Sequence, residues 1–350
     1  MAGNGGLPDR PGTSLPDRPA TIRTVAERAG VSKSLVSLVL RGSSNVSAAK
    51  RLAVQEAIIE LNYRPNLIAR TLSERRTNMV GVLLNDLRNP WFVDCLEGLT
   101  QVLHAQGLRT LLADGRLDRS TDESLLRAFL ELRVDGLVLL GSMPSSPVIV
   151  EATAGVPTVV AASRDIALPQ VDVVANDDRY GTELALGHLL ELGHTRIAHL
   201  AGAFGAVAEI RRRSYLQVMD SRGLVDRQIV ERCDGTEEGG YRAAVRLLAL
   251  ADRPTAIFAV NDIACIGAMS AAGELGLRIP QDVSMVGYDN TSLAQIRHVW
   301  LTSVDNASPE VGRRAGEALL RRMTAPRADA TEQLVRPSLQ IRGSTGPPAV

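Results

Sequence analysis

The chain has 350 residues, 45% hydrophobic, 22% charged and 3% aromatic, which is enough for a small domain beside a larger two-lobed one rather than a single core. It contains no uncharged apolar run long enough to span a membrane, and Cys95, Cys233 and Cys265 are an odd, widely spaced set without CxxC spacing. That pattern argues against a disulfide framework or a zinc site, and no other metal site or cofactor is expected. Basic and acidic residues balance at 39 each, yet residues 21–76 hold ten basic side chains against four acidic ones. A folded motif is needed before such a surplus becomes a surface for a polyanion.

Residues 1–20 repeat Leu-Pro-Asp-Arg-Pro at Leu7–Pro11 and Leu15–Pro19 and lack a continuous apolar segment. A disordered tail is expected there rather than a secretion signal, and with it a cytoplasmic protein. Ile22, Val25, Ala26 and Ala29 then recur at helical spacing until Gly30, which permits the positive φ of a tight turn. Ser32 can cap a second helix whose inward stripe, Val36, Val39 and Leu40, leaves Lys33, Ser34, Ser37 and Leu38 facing outward. Ser47 is expected to cap a third helix, with Leu52, Ile58, Ile59 and Leu61 on its apolar side and Tyr63 and Pro65 ending it. This is a helix-turn-helix whose second helix would enter a major groove.

The stretch TIRTVAERAGVSKSLVSLVLRGSSNVS, followed by AIIELNYRPNLIARTL, resembles without gaps the DNA-binding headpiece of the lactose-repressor (LacI/GalR) family. The resemblance implies a headpiece at 21–64 and a hinge at 65–77, with Pro65–Leu72 becoming helical only beside its dimer mate on DNA. A lone helix of that length is unstable in water, so its folding must be coupled to partner and DNA contacts. Leu72 would wedge between base steps in the minor groove. The DNA contacts so implied are Thr21, Lys33, Ser34, Ser37, Leu38, Asn45, Tyr63, Asn66, Ala69 and Leu72. The chain departs from the family at Leu35 and Leu38, where threonine and arginine are usual. Leucine cannot pair bidentately with guanine, so base reading is expected to shift toward Lys33 and Ser34 or to a thymine methyl. Lys50 stands where an acidic capping-box residue is usual, which exchanges a reciprocal cap for a possible phosphate contact.

From Asn78 onward short apolar runs alternate with helix-like segments: Met79–Leu84, Arg109–Ala113, Gly136–Leu140, Thr158–Ala162, Val171–Val174, Ile197–Ala201, Ala256–Ala259 and Val283–Tyr288. Such alternation indicates βαβ units and parallel sheets. From Val80 to Arg342 the chain resembles the two-lobed periplasmic-binding-protein-like α/β core of the same family, most specifically at His188–Gly202, Ala256–Met269 and Gly276–Asn290. The expected lobes are 78–175 plus 304–328 and 176–303 plus 329–345, with a tail at 346–350.

Ligands of open α/β sheets bind at the carboxyl ends of strands, where Asp86, Trp91, Phe92, Asn261 and Asp289 fall. Carboxylates and amides beside an aromatic face suit a sugar, and the aromatic face would also suit a nucleobase. The resemblance adds Arg211 and Arg164 as effector contacts. Simpler readings stand beside these: Asp178 and Asp289 as helix caps, Trp91 and Phe92 as lobe packing, Arg211–Arg213 as a solvated face, and His194 as a turn residue. No GxGxxG, GxxxxGK[ST] or GxSxG pattern supports an enzyme, and the fused headpiece opposes a free solute-binding protein. The expectation is a homodimeric transcription regulator, a repressor rather than an activator, that reads a pseudopalindromic operator under allosteric control by a sugar. With no leucine heptad after Arg342, a dimer is expected rather than a tetramer.

Overall fold

The computed structural model describes residues 20–40, 42–64, 76–116, 118–143, 145–164, 168 and 171–349. The tail at 1–19 and the proposed hinge contacts Asn66, Ala69 and Leu72 lie outside the described residues. The chain divides into two compact units, one up to Arg76 and one from Thr77 onward.

In the first unit, α1 (Ile22–Arg28), α2 (Lys33–Leu40) and α3 (Ala48–Glu60) enclose a small core of Val25, Val36, Val39, Val46, Val54 and Ala57. Thr21 and Thr24 cap α1 reciprocally. Gly30, at φ +66°, makes the turn into α2, and the Ser32 hydroxyl accepts the Leu35 amide at 3.2 Å. The third helix differs from its sequence pattern. Val54 and Ala57 fill the core, while Leu52 and Ile59 are exposed, because at 100° per residue they fall on the opposite face. Ser47 occupies the N-cap but makes no side-chain capping bond.

The second unit holds two six-stranded sheets. The first contains β1 (Met79–Leu84), β2 (Arg109–Asp114), β3 (Gly136–Leu140), β4 (Thr158–Ala161), β5 (Asp172–Asn176) and β11 (Glu332–Val335), in the order β11-β5-β4-β3-β1-β2 and parallel throughout. The second contains β6 (Ile197–Gly202), β7 (Ile229–Cys233), β8 (Ala256–Ala259), β9 (Ser284–Tyr288), β10 (Thr302–Asp305) and β12 (Ser338–Gln340), in the order β12-β10-β9-β8-β6-β7. Its edge strand β12 runs antiparallel to β10, so this sheet is not wholly parallel.

The helices are α4 (Pro90–Ala105), α5 (Arg119–Glu131), α6 (Pro147–Gly155), α7 (Asp178–Glu191), α8 (Ala206–Ser221), α9 (Glu237–Leu248), α10 (Asp262–Glu274) and α11 (Ser308–Thr324). Each sheet has an apolar core on both faces, so its strands read as nearly continuous hydrophobic runs. The chain passes between sheets at 176–178, 305–308 and 335–338. The expected lobe boundaries therefore need correction at the C-terminal end: Glu332–Val335 pairs with Asp172–Asn176 in the first sheet, and Thr302–Asp305 lies wholly in the second. A buried Asp172 anchors the return, accepting from Arg322 at 2.8 Å and from the Thr331 amide at 2.9 Å.

His194 is more than a turn residue. It is buried, with Nδ1 2.8 Å from the Thr255 hydroxyl and Nε2 2.8 Å from the Gly346 carbonyl, and so clasps the C-terminal segment. All three cysteines are buried, as small apolar residues.

Candidate functional site

In both sheets the strand order reverses beside the first strand, β1 or β6, which is where an open α/β sheet forms a crevice at its carboxyl edge. A cavity of about 390 Å³ occupies that position in the second unit. Its walls come from the residues that follow the strands: Asn85 and Asp86 after β1, Gly141 and Ser142 after β3, Asn176 at the end of β5, Asp234–Thr236 after β7, Val260 and Asn261 after β8, and Asp289 after β9. Ala162, Val207, Ala208, Val260 and Ile263 supply apolar surface. Trp91 and Phe92, at the start of α4, meet edge to face with ring centroids 5.2 Å apart.

Arg211 is the electrostatic centre. It is buried on α8, donates from Nε to Asp178 at 2.9 Å and from Nη1 to the Val260 carbonyl, and lies 3.8 Å from Asp289. Its guanidinium also lies 3.5 Å from the centroid of the Tyr288 ring, a cation–π contact. Burial works against this charge, but Asp178 and Asp289 beside it raise the Arg211 pKa above its ordinary range. Burial pushes Asp289 up to about 7; Arg211 opposes the rise, and Asp262 and Asp178 add to it.

The capping alternatives do not describe these acids. Asp177, not Asp178, caps α7, and Asp289 leaves β9 at φ +100° to accept from Asn306 at 3.0 Å and Asn89 at 3.4 Å. Asn306 in turn accepts from the Trp91 indole at 2.6 Å, and Asn176 donates to its carbonyl. One polar chain thus ties the first lobe, the second lobe and two of the crossings together.

Of the seven effector contacts expected from sequence, six line the cavity: Asp86, Trp91, Phe92, Arg211, Asn261 and Asp289. Arg164 is not among the lining residues; it pairs with Glu332 at 3.1 Å at the edge of the first sheet. Asn261 has both ends engaged, capping Ala264 at 2.8 Å and donating to the Gly235 carbonyl at 3.0 Å. Asp86 accepts from Arg88, and although burial works against it, that bond holds its carboxyl below the usual range.

Sequence reasoning missed Asn306 and Asn176. The two asparagines sit at the sheet-to-sheet crossings; Asn176 closely follows the apolar run Val171–Val174 and was open to the strand-end rule, whereas no such run precedes Asn306. His199 lies buried between Tyr215 and Phe258, donating from Nδ1 to the Phe258 carbonyl at 2.9 Å. Burial, with Arg211 and Arg212 nearby, lowers its pKa to about 4 and keeps it neutral.

In the first unit, Thr21, Lys33, Ser34, Leu38 and Asn45 are exposed, while Ser37 and Tyr63 are half-buried. Thr21 is also engaged in capping α1. Arg28 and Arg51 are partly committed inside the unit, to Glu60 at 2.6 Å and to the Ser43 carbonyl at 2.6 Å.

Residues 21–66 match the family described as bacterial regulatory proteins, lacI family, and residues 186–345 match a periplasmic binding protein-like domain. The HTH-type transcriptional repressor PurR of Erwinia tasmaniensis is 34% identical over 329 residues, covering 93% of this chain and 96% of the relative. The lac repressor dimer bound to operator and the anti-inducer ONPF superposes with a TM-score of 0.82 at 28% identity, covering 94% of this chain and 100% of that one. The transcriptional regulator CelR in complex with cellobiose gives a TM-score of 0.70 at 30% identity, covering 93% and 99%.

Proposed function

Because the chain belongs to the LacI family of bacterial regulatory proteins, we propose that it is a repressor acting as a homodimer on a pseudopalindromic operator, released or seated by a small molecule in the cleft cavity. The observation that carries this reading is the union, in one chain, of a helix-turn-helix whose second helix exposes Lys33, Ser34 and Leu38 and a core whose cavity is polar at the strand ends and aromatic at one wall. On this reading Lys33, Ser34, Ser37 and Leu38 face the major groove, and Leu72 kinks the minor groove between half-sites. A sugar is the proposed effector. Carboxylates and amides at the strand ends suit hydroxyls, Phe92 suits a ring face, and one solved relative is a cellobiose complex.

Control follows from differential affinity: a ligand that prefers one lobe arrangement shifts the population, and operator affinity changes reciprocally. The reading contains no catalytic step. It is tested by titrating full-length protein onto its own upstream DNA and onto an unrelated duplex of equal length at fixed salt. A preference for the upstream DNA of about 10³ or more is expected, and equal affinity for both duplexes contradicts the proposal.

A further inference from the structure

The charges around the cavity bear on what it takes, an argument that rests on the sensor reading above. Among the described lining residues the cations are Arg88 and Arg211. Each is already engaged by a carboxylate. Arg88 binds Asp86 through Nε at 2.8 Å and Nη2 at 2.7 Å, and Asp114 and Asp234 also act on it. Arg211 is held by Asp178 and faces Asp289. Glu237 adds a further negative charge to the same wall.

A phosphate or carboxylate ligand would have to take a guanidinium from an acid that would then remain beside it, unpaired and partly desolvated. Three of the helix N-termini beside the cavity are capped by their own side chains. Asn89, Thr236 and Asn261 already accept the first-turn amides of Trp91, Gly239 and Ala264. α8 lacks a side-chain cap, and the Glu209 of its first turn is paired with Arg212 and Arg213. Hydroxyl groups meet the opposite situation, because the carboxylate oxygens of Asp86, Asp234 and Asp289 can accept from them while Phe92 covers a ring face.

We infer that the effector is an uncharged polyhydroxylated ring compound, and that the cavity discriminates against its phosphorylated or carboxylated derivatives. The test uses full-length protein in matched pairs, by calorimetry and by operator affinity: glucose with glucose 6-phosphate, ribose with ribose 5-phosphate, cellobiose with cellobionate, adenosine with its 5′-monophosphate, and inorganic phosphate alone. Binding by a neutral member is expected, with its anionic counterpart at least tenfold weaker. The Asp234→Asn, Glu237→Gln double variant should narrow that gap. An anionic member that binds as tightly as its parent overturns the inference and leaves the sensor reading standing. Silence from every probe, in calorimetry and in operator affinity alike, counts against the sensor reading itself.

Discussion

On the proposed reading, Arg211 serves both stability and sensing. Its charge is buried against Asp178 and under the Tyr288 ring, so Arg211→Ala leaves an acid without its partner and should cost about 3–5 kcal/mol. Thermal melts would show this as a fall in Tm of several degrees, and an unchanged melt would contradict the pairing. Arg211→Lys keeps the charge but not the fork that reaches Asp178 and the Val260 carbonyl together. It should lose most ligand affinity with a smaller loss of Tm. Asp122 makes a different prediction. It is buried at the start of α5, its Oδ1 has no hydrogen-bond partner, and burial, with Asp118 and Asp114 nearby, raises its pKa to about 6. A carboxyl with a raised folded pKa supports the fold below the unfolded value near 4 and loses that support as pH rises through about 6. Asp122→Asn should therefore raise Tm more at pH 8 than at pH 4; an equal effect at both would show that the acid does not titrate as described.

At the scale of elements, close helix crossings are set by glycine. A Cβ on Gly312 of α11 would lie 1.8 Å from the Cys95 carbonyl of α4, and one on Gly98 would lie 2.0 Å from the Pro309 carbonyl. Gly312→Val forces two backbones apart and should destabilise by at least the 1–3 kcal/mol typical of overpacking, read as a lowered urea midpoint. A wild-type midpoint would mean that the crossing yields freely. On α2, Lys33→Ala should weaken binding to operator and to unrelated DNA alike and reduce the salt slope by about one charge, if Lys33 contacts phosphate; a selective loss on operator would instead mark it as a base reader.

The elements were unevenly legible in the sequence. Buried central strands such as Gly136–Leu140 announce themselves as apolar runs, whereas Ile229–Cys233 is an edge strand carrying Glu231 and Arg232, and its mixed composition hides it. Nothing local in Glu332–Val335 marks which sheet it joins, because that depends on where the chain recrosses at 335–338. The same limit applied in the site. Residues that directly follow apolar strands were readable, while Asn176 and Asn306 gain their roles from tertiary pairing across the crossings.

Across the whole molecule, three crossings join the two sheets of the core, and the Asn89–Asp289–Asn306–Trp91 bonds bridge them at the cavity. On the proposed reading, a ligand that competes for these bonds or completes them favours one lobe arrangement over another, which is the physical requirement for control at a distance. The chain's headpiece and core are separate compact units, so on the proposed reading the cavity acts on DNA only through a shift in population. The most direct measurement is operator affinity of the full-length protein with and without saturating cavity ligand, for wild type and for Phe92→Ala. The account predicts a change of roughly 5–150-fold for wild type, the usual span of allosteric coupling, and a much smaller one for the variant, with DNA binding itself preserved. A ligand that fills the cavity yet leaves operator affinity unchanged in the wild-type protein would contradict it.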